Sequence, residues 1–253
     1  MNKYEIDIND YSREYLNEHN KNFSFESVLV DVRRKQVLKS LNKYKHKHIL
    51  EVGCGLNPLF QHCEYESYTV IEPAFEFVQQ AKKLAEGRKN INIVHGFMEE
   101  IYETLSEYDF DFIIVSGLLH GVPDPVKLLH VIYQVCKANT VVHISVPNVY
   151  SFHRLLAYEM NYIGSIFEES DTGIKFQRHT RFDKQSFFKI VKENNFKILS
   201  HGTYFIKPFT NEQMEKIIDQ NIVNISIIEG LEKMTKYMPD MGCEMFVNAK
   251  INL

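Results

Sequence analysis

Glu51, Gly53 and Gly55 form the stretch of the chain with the clearest chemical content. Glu51 lies near the end of an apolar run from His48 to Val52, and the two glycines follow this run. Such a run predicts a buried parallel strand. Glycines after a strand let the backbone turn sharply and approach a ligand closely. A dinucleotide site needs a third glycine, and Pro58 stands at that position. We therefore expect a nucleotide-like ligand other than a dinucleotide at the end of this strand.

The two acids near this loop narrow the choice of ligand. A carboxylate at position 51 would repel phosphate groups but suits a ligand with an ammonium group, such as S-adenosylmethionine. Glu72 ends a second predicted strand, where an acid accepts hydrogen bonds from ribose hydroxyls. Taken alone, Glu72 is equally explained as an acid at a helix N-terminus. Beside Glu51 and the two glycines, the ribose role is favoured.

The segment around Gly53 and the acid Glu72 resemble motif I and the following acid of the class I S-adenosylmethionine-dependent methyltransferases. The resemblance covers roughly residues 45–200. It implies S-adenosyl-L-methionine as cofactor and S-adenosyl-L-homocysteine as product. In the loop at residues 96–98, many members of the family have an acid that contacts the adenine amino group. Here Glu99 is the substitute for that acid. Core packing is an equal explanation for the two apolar residues of this loop, Phe97 and Met98. The expected cofactor-binding residues are Glu51, Gly53, Cys54, Gly55, Asn57, Glu72, Pro73, Gly96, Phe97, Met98, Ser116, Gly117 and Leu118.

Predicted strands and helices alternate along most of the chain, which indicates an α/β fold with a parallel sheet. Strands are expected near residues 48–52, 67–71, 91–94, 110–115, 139–146, 196–202 and 243–250. The resemblance implies a Rossmann-like class I methyltransferase fold: a seven-stranded, mostly parallel sheet with helices on both faces and an acceptor lid. We expect residues 1–45 to form an N-terminal arm and helix that cap the acceptor. Residues 46–253 then form the methyltransferase domain, with lid insertions near 148–183 and 205–240.

The loop from Val115 to Pro125 resembles the L-x-H-x-V-x-D-P loop of small-molecule methyltransferases. His120 is the first candidate for a general base, since the unperturbed pKa of imidazole, near 6.5, suits proton removal from a hydroxyl acceptor. His179 is the second candidate. The alternative for His120 is a loop histidine that bonds backbone.

A cation-rich segment, residues 175–184, falls inside the first insertion. A solvated charged loop is one explanation, and binding of an anionic acceptor such as a phosphorylated or nucleotide-linked sugar is the other. Two stretches, from Val146 and from Lys207, resemble methyltransferases of bacterial surface-polysaccharide clusters. The expected acceptor-binding residues are Tyr11, Tyr15, Asn148, Arg178 and Arg181.

Composition limits the classes of function. Hydrophobic residues make up 44% and charged residues 25% of the 253 residues, and the formal net charge is −4. No basic stripe indicates nucleic acid, no apolar run approaches a membrane span, and no C-x-x-C pair or acid cluster predicts a metal. We expect a cytoplasmic protein without a secretory signal. A homodimer is left open.

The sequence thus predicts an S-adenosylmethionine-dependent methyltransferase that methylates an oxygen of a small polar acceptor by direct displacement. The acceptor is expected to be a sugar- or phosphate-bearing precursor of a bacterial surface polysaccharide. Small-molecule N-methylation and quinone-pathway methylation are the alternatives within the family. A non-catalytic protein that binds the cofactor or a partner is the alternative of another class.

Overall fold

Seven strands form a single sheet in the order β3-β2-β1-β4-β5-β7-β6, and only β7 runs antiparallel to its neighbours. The computed structural model describes residues 6–19 and 23–252, so the expected arm at residues 1–5 and 20–22 lies outside the described part. The predicted Rossmann-like fold is confirmed. The strands are β1 His48–Val52, β2 Ser67–Glu72, β3 Ile91–His95, β4 Phe112–Ser116, β5 Val141–Pro147, β6 Phe196–Tyr204 and β7 Glu244–Ile251.

The central strands are apolar and buried because helices cover both faces of the sheet. Ile49 and Leu50 in β1 are fully buried, and β1 pairs in parallel with β2 on one side and β4 on the other. The carboxyl ends of these parallel strands meet at one edge of the sheet. Glu51, Glu72 and Ser116, from three different strands, are therefore brought to the same edge.

Helices begin where capping side chains meet apolar periodicity. Ser24 caps α2 by accepting the Glu26 N–H, as predicted, and Asp124 accepts the Lys127 N–H at the start of α5. Capping boxes start α8 and α9. The helices are α1 Ile8–His19, α2 Phe25–Leu41, α3 Phe75–Ala85, α4 Met98–Ile101, α5 Pro125–Val135, α6 Phe152–Glu159, α7 Asp171–Lys175, α8 Lys184–Glu193, α9 Asn211–Asp219 and α10 Ile227–Lys233.

The turn from α8 into β6 contains a residue in the left-handed conformation. Asn195 has φ of 62°, the left-handed conformation that asparagine tolerates better than most residues. Both expected insertions fold as helices: α6 and α7 lie within 148–183, and α9 and α10 lie within 205–240. Helix α1 was expected only as a polar, tyrosine-rich arm.

Helix α2 packs against the second insertion, residues 205–240. Its residues Phe25, Leu29 and Val32 pack in a buried cluster with Phe205 and Met214, which belong to the second insertion. Apolar burial of this kind contributes about 25 cal/mol for each Å² removed from water. The packing holds α2 beside the loops after β4 and β5, where the polar residues described next converge.

Candidate active site

The Glu72 carboxylate organises the glycine loop. One of its oxygens, Oε2, accepts the N–H groups of Cys54 at 2.9 Å and Gly55 at 3.2 Å, and Oε1 accepts the Ala74 N–H at 2.9 Å. Gly53 and Gly55 adopt φ of 74° and 55°, which side chains disfavour. The acid at the end of β2 thus holds the loop after β1 in its left-handed conformation. Burial raises the pKa of Glu72.

Glu51 is bonded within the protein. Its Oε2 accepts the Leu59 N–H at 3.0 Å and the Tyr68 hydroxyl at 2.8 Å, and only 3% of the residue is exposed. Burial raises the pKa of Glu51 to about 7. This acid therefore fixes the turn after the glycine loop, and its carboxylate also borders the cavity that the loop surrounds.

A first cavity lies at the carboxyl ends of β1, β2 and β4. Twelve of the thirteen residues expected to bind the cofactor line it, and Glu99 does as well. The exception is Gly96, whose N–H bonds to the Glu72 carbonyl at 3.1 Å. The lining residues of the expected set are Glu51, Gly53, Cys54, Gly55, Asn57, Glu72, Pro73, Phe97, Met98, Ser116, Gly117 and Leu118.

Helix α1 covers this first cavity with aromatic side chains. Tyr11 and Tyr15, expected to contact the acceptor, line the first cavity and not the second one described below. Both rings make edge contacts with Phe77 and Phe176. Helix α1 is tethered to α3, since the Ser12 hydroxyl donates to Glu76. These tyrosines therefore line the same cavity as most of the residues expected to bind the cofactor.

His120 stands where the first cavity meets a second. It lines both cavities, is 6% exposed, and its Nδ1 has no hydrogen-bond partner among the described residues. Burial, followed by the charges of Arg178 and Arg33, holds the pKa of His120 well below its usual range. The ring is therefore neutral at pH 7 and able to accept a proton. Its carbonyl accepts the Thr180 N–H at 3.0 Å, which ties this loop to the first insertion.

The second cavity has a mainly cationic lining. Five basic side chains face two carboxylates there, and Arg33, Arg178 and His120 are shared with the first cavity. Arg178 and Arg181, expected to bind the acceptor, both line it. The charged lining residues are Arg33, Arg154, Arg178, Arg181, Lys207, Glu26 and Glu244.

Asn148 and His179, the remaining residues expected at the site, lie in different surroundings. Asn148 lines the second cavity, but its amide nitrogen donates to the carbonyls of Asp240 and Gly242, and its oxygen accepts the Tyr150 N–H. Its side chain therefore shapes the turn after β5. His179 is half-buried and is not among the residues that line either cavity.

Sequence reasoning did not single out Arg33 and Glu244. Arg33 Nε donates to Glu244 Oε2 at 2.9 Å, a second guanidinium nitrogen bonds the other oxygen, and the Tyr204 hydroxyl also donates to this carboxylate. These residues lie on α2, β7 and β6, so no local pattern joins them. The available signal was the position of Arg33 on α2, four residues from each of the apolar residues Leu29 and Val37.

In residues 6–19 and 23–252, no group of three or more His, Cys, Asp and Glu side chains is placed to hold a metal ion. Over the same residues, no helix has both the length and the apolar character needed to cross a bilayer.

Comparison with known proteins agrees with the geometry. Residues 25–201 match the family described as "Methyltransferase domain". No curated protein matches the chain in sequence.

Solved structures share the fold at low sequence identity. A Thermotoga maritima SAM-dependent methyltransferase, titled a possible histamine N-methyltransferase, is 14% identical with a TM-score of 0.63; the match covers 95% of this chain and 97% of that one. The plantazolicin methyltransferase BamL, solved with a triazolic desmethylPZN analog and SAH, is 15% identical with a TM-score of 0.58, covering 96% of this chain and 91% of that one. The [4+2]-cyclase SpnF is 14% identical with a TM-score of 0.55, covering 87% and 80%. Likeness to these structures shows the fold.

Proposed function

Because the chain belongs to the class I S-adenosylmethionine-dependent methyltransferases, we propose that it methylates an oxygen of a small polar acceptor bound in the second cavity. The single observation that carries this proposal is the position of His120, which borders both cavities and has an unpaired ring nitrogen. A methyl donor in one cavity and a hydroxyl in the other would meet beside this imidazole.

The residues of the first cavity fit the cofactor. The Glu72 carboxylate has three backbone N–H partners, two on Oε2 and one on Oε1, and retains about one acceptor site, on Oε1, for a ribose hydroxyl. A Cβ at Gly53 would lie 3.3 Å from a Leu118 methyl carbon, so the glycine keeps the loop and β4 edge close together. Phe97 and Met98 offer apolar surface for a base. When bound, S-adenosylmethionine supplies an electrophilic methyl group on its sulfonium.

The chain's own contribution to the reaction is orientation and proton removal. His120 accepts the proton of the acceptor hydroxyl at Nδ1, which raises the nucleophilicity of the oxygen as it attacks. A general base of this kind contributes about 10²–10⁴-fold. Alignment of acceptor and methyl group by the walls of the two cavities contributes a comparable factor or more. Burial keeps water away from the ring, so the acceptor is its proton donor.

The charge of the second cavity favours an anionic or polar acceptor over an ammonium-bearing one. Five basic side chains disfavour a cationic amine there, which supports O-methylation over N-methylation. A sugar- or phosphate-bearing precursor of a bacterial surface polysaccharide remains our proposal for the acceptor; it rests on the resemblance of the stretches after Val146 and Lys207. Residues 1–45, with α1 over the first cavity, are proposed as the cap.

A mass-spectrometric screen tests this function. The protein is incubated with S-adenosylmethionine and panels of sugar phosphates, nucleotide sugars, neutral sugars and small amines. We expect a mass gain of one methylene unit in a hydroxyl acceptor that carries a negative charge, with S-adenosylhomocysteine formed in equal amount. Methylation confined to amines would replace O-methylation by the N-methyl alternative. Cofactor binding without turnover on any of these panels, or on quinols tested in the same way, would favour the non-catalytic alternative.

A further inference from the structure

We propose that Lys207 is the centre of a phosphate-binding subsite in the second cavity, and that this subsite selects acceptors that carry a phosphate group. The proposal rests on the proposed function for the identity of the second cavity as the acceptor site. Lys207 follows β6 and is 8% exposed, yet it lines this cavity. Its ammonium has three donors, and Asn211 Oδ1, at 2.8 Å, accepts one of them.

The cations around this point lack counterions. Among the described residues, Lys207, Arg154 and Arg178 form no ion pair, whereas Arg33 pairs with Glu244 and Arg181 pairs with Glu169. A buried charge without a partner is costly, so proteins pair such groups or bind an ion there. Of these three cations Lys207 is the buried one, and the lining carboxylates Glu26 and Glu244 act on it without a direct ion pair, which leaves room for a ligand anion as its partner.

The neighbours of Lys207 keep its charge available. Asn211 accepts from Lys207 through Oδ1 and donates to Glu26 Oε2 at 3.3 Å through Nδ2, so the amide stands between the lysine and that carboxylate. Arg154 is held by the carbonyls of Ile166 at 2.9 Å and Glu168 at 2.6 Å. Both cations are thus positioned by neutral groups, which orient them without neutralising them.

His153 adds a buried imidazole to the lining of the same cavity. Its Nδ1 is buried without a hydrogen-bond partner among the described residues, and it lines the cavity. Burial, then the charges of Lys207 and Arg154, holds the pKa of His153 well below its usual range. Burial also lowers the pKa of Lys207. A bound anion would relieve both effects, since it favours the charged form of each group.

The number of cations favours phosphate over carboxylate. Phosphate monoesters carry close to two negative charges at neutral pH, and arginine meets their oxygens with paired N–H donors. Thr210 and Asn211, at the start of α9, line the same wall, where the helix dipole adds positive potential. His120 lines the same cavity, so a phosphate held at Lys207 anchors the acceptor within the space that the base borders.

The test uses anion binding and needs no turnover. Thermal unfolding of the whole protein is followed with increasing inorganic phosphate, sulfate or acetate, each against chloride at equal ionic strength. We expect phosphate to stabilise the native protein more than acetate does. In Lys207→Met the apparent phosphate affinity should fall about tenfold or more, as expected for loss of one charge-assisted bond. The matched control Lys189→Met, on the exposed face of α8, should retain native affinity.

Three results would overturn the proposal. These are no stabilisation by phosphate beyond chloride, equal stabilisation by acetate, or native phosphate affinity in Lys207→Met. If Lys207→Met does not fold, Lys207→Gln, which can keep a bond to Asn211, carries the same expectation. S-adenosylhomocysteine titration is run in parallel. A protein that binds phosphate but not this nucleoside would leave the subsite standing and remove the proposed function.

Discussion

Arg33 on α2 and Glu244 at the start of β7 form a two-point ion pair beneath the junction of the two cavities. The Tyr204 hydroxyl completes the bonding of the carboxylate. Arg33 and Tyr204 lower the pKa of Glu244, while Glu244 holds the pKa of Arg33 well above its usual range despite burial. The pair therefore fixes one wall of both cavities and supplies one of the two cations that keep His120 neutral.

Glu244→Gln should destabilise the protein by about 3–5 kcal/mol, because it leaves the Arg33 cation buried without its counterion. Chemical denaturation measures the change in the free energy of unfolding. The control is Glu229→Gln, which removes the partner of Lys233 in an exposed pair on α10 and should cost no more than about 1 kcal/mol. Equal losses in the two variants would contradict a special role for the buried pair.

Gly117→Ala should be more harmful than Gly87→Ala. Both glycines have positive φ, 66° and 75°, so alanine is strained at each by about 1–2 kcal/mol. Only at Gly117 would the new Cβ meet another group, at 2.9 Å from Arg33 Nε, whereas Gly87 faces open space. The unfolding free energies should therefore differ by a further kilocalorie or so. Indistinguishable stabilities would show that Arg33 moves aside freely.

Glu72→Ala should abolish measurable binding of S-adenosylhomocysteine in calorimetric titration. The change removes the acceptor of three backbone N–H groups, so the glycine loop loses its support, at a cost of about 1–3 kcal/mol for each buried donor left unpaired. Glu86→Ala, at the exposed C-terminal end of the following helix, is the control and should keep native affinity. Native affinity in Glu72→Ala would refute the assigned cofactor site.

His120→Ala should leave S-adenosylhomocysteine affinity within a few-fold of native but lower turnover about 10²–10⁴-fold. Because the pKa of His120 is held well below 6.5, the native rate should be flat through neutral pH. Activity should fall only at more acidic pH, where the ring becomes protonated and can no longer accept a proton. Single-turnover rates across pH, once an acceptor is known, measure both effects. A native rate in His120→Ala would show that His120 is not the general base.

His143 should make stability depend on pH. It is fully buried, bonds to Asn248 Oδ1 at 2.8 Å, and burial lowers its pKa to about 4. Between pH 6.5 and 4 the unfolded chain binds a proton that the folded protein does not, so stability falls as pH falls, by about 1.4 kcal/mol per pH unit. His143→Phe should lose that component of the slope, and the exposed His130→Phe should keep it. Denaturation at a series of pH values compares the three proteins.

The sheet and the glycine loop at the end of β1 were predictable from the sequence because their signals are local. The runs that became β1, β2 and β4 are apolar over a few residues, and such runs become buried parallel strands whose carboxyl ends share one edge. The two glycines after β1 and the acid at the end of β2 therefore lie close together once these strands pair. Asn195 and the caps Ser24 and Thr210 also act within a few residues of themselves.

Only the tertiary structure decided what surrounds the acceptor side. The Arg33–Glu244 pair joins residues 211 positions apart, and Lys207 enters the second cavity because α9 and α2 pack together. No periodicity encodes such meetings, since they depend on how separate elements pack. The same packing places Tyr11 and Tyr15 in the lining of the first cavity, leaves His179 out of the lining of both cavities, and places His120 in both linings. The sequence determines the chemistry of each residue, and the tertiary structure determines which residues become its neighbours.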